Sequence, residues 1–397
     1  MERIIKTFLL LIFIVSCKGN EFFSPVIDDT CNVVSINTNN DSAYFNCITD
    51  ITFIPLEVNE KSIYLNNPVM LNPNDSTIVL IDKSNGIMLG YVNCKNSFGR
   101  RYIGRGSGEF IEFGNAFVYN DLIGIYDCST ARCLYYNTDG DYVKQIVLED
   151  RYCDEFYQKS NDYSVGFNIS REFGNGDYFC NVYNNTSGKI IHSELFLSRL
   201  HSEIVSHPYP VSTHNGKISF YIPYGYVIFE MDSTCNDVFQ KYYLDLSDKL
   251  EKSLVRNKLN SSNLFAEVLS SGASGNLTDF YETNRYYSFS TIYERTRYKV
   301  LIDKKQNQSY AFDTSHGRKK NDLFINQLFM TIRPIGSYNN DVYMYCDYKS
   351  FCSIEDNCSM ASDSLKDSLI MQIQKYREEY TLDDATKLFF KISFLEF

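Results

Sequence analysis

Short apolar runs, each closed by Asp or Asn, recur along most of the chain. Ile78-Val79-Leu80-Ile81 ends at Asp82, passes through Lys83-Ser84-Asn85-Gly86 and resumes as Ile87-Met88-Leu89. Ile123-Gly124-Ile125-Tyr126 ends at Asp127, passes through Cys128-Ser129-Thr130-Ala131 and resumes as Arg132-Cys133-Leu134-Tyr135-Tyr136, 45 residues further on. Each run is too short for a helix and rich in β-branched and aromatic residues, so each unit predicts strand, tight turn, strand. Asp suits the first turn position because its carboxylate accepts hydrogen bonds from backbone N–H groups just ahead of it.

The unit repeats. Val227-Ile228-Phe229-Glu230-Met231 leads to Asp232, Val300-Leu301-Ile302 to Asp303, and Val342-Tyr343-Met344-Tyr345-Cys346 to Asp347; Cys180-Asn181-Val182-Tyr183 leads to Asn184. Successive turn starters lie between 44 and 71 residues apart, three of the intervals close to 45. Several strands per unit at that period mark a β-propeller, and six starters predict six blades. The expected fold class is therefore all-β, a six-bladed β-propeller. Short helical insertions in the later blades account for the irregular intervals. One is expected over 247–259, with Leu250, Leu254 and Leu259 at near-helical spacing behind Ser247 as N-cap. A second is expected over 363–380, where Leu365, Leu369, Ile373, Tyr376 and Tyr380 share a face. The apolar segment 388–397 reads as a strand that closes the ring by pairing with residues 51–58 in one blade, which removes an exposed edge.

The amino end carries an address. Arg3 and Lys6 precede an apolar run over 8–15 that is too short to span a bilayer, and Ile14-Val15-Ser16-Cys17 closes it. This end resembles a bacterial lipobox, which implies cleavage before Cys17 and acylation of that residue. Acyl methylenes, at roughly 0.8 kcal/mol each, would then tether the chain to a membrane. Lys18 stands where an inner-membrane retention signal would place Asp, so an outer-membrane lipoprotein of the bacterial envelope is expected, on its periplasmic or surface face. The domain reading is signal peptide over 1–16, polar tether over 17–47 and propeller over 48–397.

Composition narrows the partners. The chain of 397 residues is 44% hydrophobic and has 32 Tyr, 29 Phe and no Trp, enough for a full, β-leaning core. The formal net charge is −11, without a Lys/Arg cluster, which argues against nucleic acid as partner. Twelve cysteines leave eleven if Cys17 is acylated, so at least one thiol stays outside any intrachain disulfide. The cysteines at 128 and 133, and at 346, 352 and 358, lack CxxC spacing, and the expected role of such residues is that of small buried hydrophobes.

Phe53-Ile54-Pro55-Leu56-Glu57, then Ile103-Gly104-Arg105-Gly106-Ser107-Gly108-Glu109-Phe110, then Tyr136-Asn137-Thr138-Asp139-Gly140 and Ile302-Asp303-Lys304-Lys305 occur in that order. Together they resemble the six-bladed β-propeller lipoproteins of Bacteroidetes, which are similar to NHL-repeat and TolB-like propellers. Two departures stand out: Gly106-Ser107-Gly108-Glu109 replaces a Gly-Pro-Gly-Glu core, and Asp383-Asp384-Ala385-Thr386 replaces an Asn-Pro before the last strand. The resemblance implies a fold and a location, and no activity comes with it.

The candidate chemistry is sparse. Arg105 and Glu109 flank a glycine-rich turn that lacks the Gly-Lys-Ser/Thr end of a phosphate-binding loop. It reads either as a backbone nest that turns these two side chains toward a ligand or as a crossing between blades one and two. His201, His207 and His214 fall in a Pro-containing stretch at spacings that suit no single helix or strand face. No nucleophile elbow is present. No catalytic residue, metal ligand or cofactor is therefore assigned. The preferred reading is a membrane-anchored, non-enzymatic binding or scaffolding protein whose ligand is a glycan, a peptide or a protein. The alternative is a metal-dependent channel enzyme such as a polysaccharide lyase or lactonase, which would need three or more His or carboxylate groups converging at one end of the channel.

Overall fold

The computed structural model describes residues 27–396 apart from 39–40, 59–64, 150–152, 169–176, 198–210, 215, 223–224, 233–234, 236, 247–269, 271–276, 294, 315–323 and 358–363. The described chain begins with β1 (Asn32–Ser35), α1 (Asp41–Phe45) and β2 (Ile48–Ile54). Four-stranded antiparallel sheets follow. The first blade is β3 (Pro68–Asn74), β4 (Thr77–Asp82), β5 (Ile87–Val92) and β6 (Lys95–Arg101). The second is β7 (Phe113–Tyr119), β8 (Leu122–Asp127), β9 (Arg132–Tyr136) and β10 (Tyr142–Val147). The third is β11 (Glu155–Gln158), β12 (Tyr163–Phe167), β13 (Asp177–Asn184) and β14 (Ile190–Leu197). The fourth is β15 (Val211–His214), β16 (Lys217–Tyr221), β17 (Val227–Met231) and β18 (Val238–Asp245), and the fifth is β19 (Thr278–Glu282), β20 (Tyr286–Tyr293), β21 (Thr296–Asp303) and β22 (Gln308–Asp313).

The sixth blade joins the two ends of the chain. After α2 (Phe324–Thr331) come β23 (Arg333–Tyr338), β24 (Asp341–Asp347), α3 (Tyr348–Asn357), α4 (Ser364–Glu379) and β25 (Lys387–Phe394). The outer strand of this sheet is β2, in register from Ile48↔Phe394 to Ile54↔Phe389. The ring closes as the apolar ends of the sequence suggest, although the pairing strand is Ile48–Ile54 rather than 51–58. The fold is a six-bladed β-propeller with helical insertions in the last blade. Of the two helices expected, α4 is present, with Leu369, Ile373 and Tyr376 buried and Tyr376 packed on Phe53 of β2. The segment 247–259 lies outside the described residues.

Two-sided burial explains the apolar runs. Along β24, Val342, Met344 and Cys346 face a cluster shared with the helices, whereas Tyr343 and Tyr345 face blade one beside Leu80, Leu89 and Tyr91. Side chains alternate across a strand, so a sheet packed on both faces needs apolar residues at successive positions.

The repeated Asp turn does not keep one position in every blade. Asp82, Asp127 and Asp347 end the second strand of their blades, but Asn184 and Asp303 end the third, and Asp232 follows the third. These two classes of turn lie at opposite ends of the propeller. The blade count is unaffected, because each blade contributes one starter. The physical reason is that Asx chemistry serves any tight antiparallel turn: Asp82 accepts from Ser84 N at 2.8 Å, and Asp303 accepts from Lys305 N at 2.8 Å.

The proposed tether is corrected over its second half. Strand β1 adds to blade four as a fifth strand, parallel to β18, from Asn32↔Tyr242 to Ser35↔Asp245. Helix α1 packs Tyr44 against Phe312 and Phe329. The segment covers a sheet edge with backbone hydrogen bonds and buries Val34, Ile36 and Tyr44 in the adjoining core clusters.

Candidate functional site

Six strands, β3, β7, β11, β15, β19 and β23, form the inner wall of the ring and enclose a channel of about 1130 Å³. That is slightly above the range of roughly 300–1,000 Å³ usual for small-molecule sites. Inner strands have an edge with no neighbouring strand, and its backbone groups need partners. Side chains of the adjacent blade supply several. Asn115 on β7 accepts from Phe156 N at 2.8 Å and donates to Phe156 O at 3.0 Å. Ser212 on β15 accepts from Glu282 N at 2.9 Å. Two walls come close where Gly336 on β23 meets Met70 on β3: a Cβ at Gly336 would lie 2.3 Å from the Met70 carbonyl oxygen.

The two ends of the channel differ. At the end where the inner strands begin, Lys83, Glu155, Asp279, Arg297 and Arg333 line the cavity. Glu155 is only 5% exposed and accepts from the Tyr157 hydroxyl at 2.8 Å. Burial pushes its carboxyl up to about 7, against the Tyr157 hydrogen bond and the Lys83 charge, which act to lower it. Burial likewise lowers Lys83 to about 8, against the opposing pull of Glu155. Arg297 and Asp279 stand 4.0 Å apart and are partly exposed.

At the opposite end Lys159, Asp162 and Lys217 line the cavity among amides and phenols. Tyr119 donates to Asn161 at 3.2 Å, and Tyr338 donates to Asp75 at 3.0 Å. His214 meets Asn284 at 2.8 Å through Nε2. Burial depresses its pKa, while the Asn284 hydrogen bond and Glu282 act to raise it. Glu282 itself pairs with Lys304 at 2.7 Å.

Arg105 and Glu109 lie in the crossing from β6 to β7. The Glu109 carboxylate folds back into its own loop and accepts from Gly106 N at 2.7 Å. It also occupies the space above Gly104, where a Cβ would come within 2.0 Å of its Oε2. Arg105 is exposed, and neither residue is among those lining the channel. Cys17, His201 and His207 lie outside the described residues; His214 does line the channel. Among the described residues no group of three His, Cys, Asp or Glu side chains is placed to hold a metal ion, and none of the ten described cysteines is in a disulfide.

Sequence reasoning missed Lys83, Glu155, Tyr157 and Arg333. In sequence Lys83 is one position of an Asp-led turn. Glu155-Phe156-Tyr157-Gln158 is a four-residue strand with no period long enough to register. The available signal was a lone charge heading an apolar strand.

A family model described as 6-bladed beta-propeller matches residues 24–350. No curated protein matches the sequence. Among solved structures, a protein described as exported, from Bacteroides fragilis NCTC 9343, superposes with a TM-score of 0.71 at 15% identity, covering 92% of this chain and 100% of that one. A member of a domain-of-unknown-function family from Bacteroides vulgatus ATCC 8482 gives a TM-score of 0.48 at 8% identity, covering 87% and 96%. The first of these is a shared fold.

Proposed function

This chain belongs to the 6-bladed beta-propeller family, and on that premise we propose that it is an exported, lipid-anchored binding protein that holds a soluble ligand in its central channel. The observation that carries this reading is the channel itself. Its wall draws polar and charged side chains from all six blades onto one cavity of about 1130 Å³. A rigid ring that gathers many donors and acceptors around one axis is suited to recognising a ligand without moving. The exported and anchored part of the reading rests on the charged start, the short apolar run and Cys17, with outer-membrane placement following from Lys18.

Thr213 is exposed, sits on β15 and lines the channel, so a large side chain there obstructs the cavity without disturbing the core. The test is ligand retention, read by native mass spectrometry of the detergent-extracted chain and by binding to glycan and peptide arrays. Thr213→Trp is expected to abolish retention with unchanged thermal unfolding. Undiminished retention in that variant refutes the channel as the site. Cys17→Ser is expected to release the protein from the membrane fraction, and unchanged membrane association contradicts the anchor.

A further inference from the structure

Glu155 and Arg333 open the inner strands of blades three and six, which are opposite members of a ring of six. Each is the first residue of its strand, so the two side chains start from one level of the channel, and both line the cavity. Glu155 is 5% exposed, and its one side-chain hydrogen bond among the described residues comes from the Tyr157 hydroxyl to Oε2 at 2.8 Å. Its Oε1 receives no donor. Arg333 makes no side-chain hydrogen bond and no ion pair among the described residues. A buried carboxylate and a guanidinium on one cavity usually find each other or another partner. Here the ring holds them on opposite walls, each with its hydrogen-bonding capacity open to what lies between.

The rest of the lining bears on which molecule fills that gap. Both ends of the channel carry both signs: Lys83 and Asp279 stand at the end of Glu155 and Arg333, and Lys159 and Asp162 at the other. A ligand of a single sign meets like charge at either end, whereas one with separated charges of both signs can face each with its opposite. Lys83 acts on the Glu155 carboxylate but forms no ion pair with it, so a ligand cation supplies the close counter-charge that a buried acid lacks. Arginine suits the other terminus, since its planar fork matches a carboxylate with two parallel hydrogen bonds. Val69, Phe113 and Phe280 give the same cavity apolar walls for side chains, and the inner strands present backbone edges that peptide groups can pair with. Resting on the channel as binding site, we propose that the ligand is a short peptide with free ends, its ammonium held by Glu155 and its carboxylate by Arg333.

The test is retention by the full chain in detergent, read by native mass spectrometry, of three peptide libraries randomised at every position and spanning short lengths: one with free ends, one N-acetylated and one C-amidated. Free-ended peptides are expected to be retained about tenfold or more over either blocked library, as loss of a charge-assisted hydrogen bond implies. Glu155→Gln, checked for thermal unfolding no lower than the parent's, is expected to lose the preference over N-acetylated peptides and keep that over amidated ones. Arg333→Gln is expected to do the reverse. Equal retention of free and blocked peptides overturns the inference yet leaves the channel reading standing if Thr213→Trp abolishes both. Terminal preferences that survive in both Gln variants overturn the assignment of Glu155 and Arg333. Retention of no peptide, beside a different molecule that is carried through extraction and lost in Thr213→Trp, overturns the peptide class and leaves the channel reading standing. Binding that persists in Thr213→Trp overturns the channel reading as well, and so does an absence of any retained molecule.

Discussion

Tyr157 donates its hydroxyl to the Glu155 carboxylate at 2.8 Å, two positions along the same inner strand. Alternation puts both side chains on one face of β11, and both line the channel. A buried acid thus gains one strong partner, but not enough to offset loss of water, and its pKa rises to about 7 from an ordinary 4.5. The groups that act on it are Tyr157 and Lys83, which lower the value, and Asp154, which raises it.

The sign of the pH effect follows. Folding favours the protonated form of Glu155, so its contribution is fully present below pH 4.5 and is lost as pH rises to about 7, after which the profile is flat. Glu155→Gln mimics the protonated form. It is expected to be more stable than the parent at pH 8 by about 1–3 kcal/mol and equal to it near pH 4. Chemical denaturation of both proteins across that range checks this, and a constant difference at all pH values contradicts it.

Asp127 behaves in the opposite sense. Burial alone would raise its carboxyl, but hydrogen bonds from Thr130, from the backbone of Ile111 and Glu112, and from Ser129 outweigh burial and hold it below 3.8. These bonds lock both the turn after β8 and the crossing that enters blade two. Asp127→Ala is expected to cost about 3 kcal/mol, since several donors lose a charged acceptor at once. The contribution is present above the ordinary carboxylate range and disappears as pH falls through the lowered folded value. Thermal unfolding at pH 7 and in strong acid measures it; a drop at pH 7 of less than 1 °C would count against this role.

Two glycines separate crowding from backbone strain. Gly336→Ala places a methyl 2.3 Å from the Met70 carbonyl and must push blades six and one apart. A loss of about 1–3 kcal/mol is expected, as for overpacking. Gly216 has φ +72° and nothing within 4 Å of a new Cβ. Gly216→Ala is expected to cost about 1 kcal/mol from strain alone. Urea midpoints rank the two, and a larger loss at Gly216 would reverse the argument.

Ring closure depends on β25, which lies between β2 and β24. Phe390 on this strand is fully buried and stacks on Phe351 at 6.2 Å. Phe390→Ala is expected to cost about 3–5 kcal/mol. Removing residues 387–397 separates β2 from its sheet and exposes an edge, so aggregation during refolding is expected. A monomeric, cooperatively folding truncation, seen by light scattering and calorimetry, would show that closure is dispensable.

The fold was legible where burial is two-sided. Runs such as Ile78-Val79-Leu80-Ile81 pack on both faces, so strand and turn show in composition alone. Register was not legible, because Asp82 and Asp303 perform the same local chemistry at opposite ends of their blades. Strand β1 escaped notice because it is only four residues long and alternates, with Val34 buried in the core and Val33 left 60% exposed. The channel was the least legible part. Its strands are short, and their polar residues, such as Ser212 and His214, gain meaning only when six blades bring them to one axis.

The central claim is that the ligand lies inside the ring, and the most direct test is a crystal structure of the protein with the molecule it retains on extraction. The account predicts density within the channel, in contact with inner-strand side chains from several blades. Density on an outer blade edge, with the channel holding only water, would contradict it.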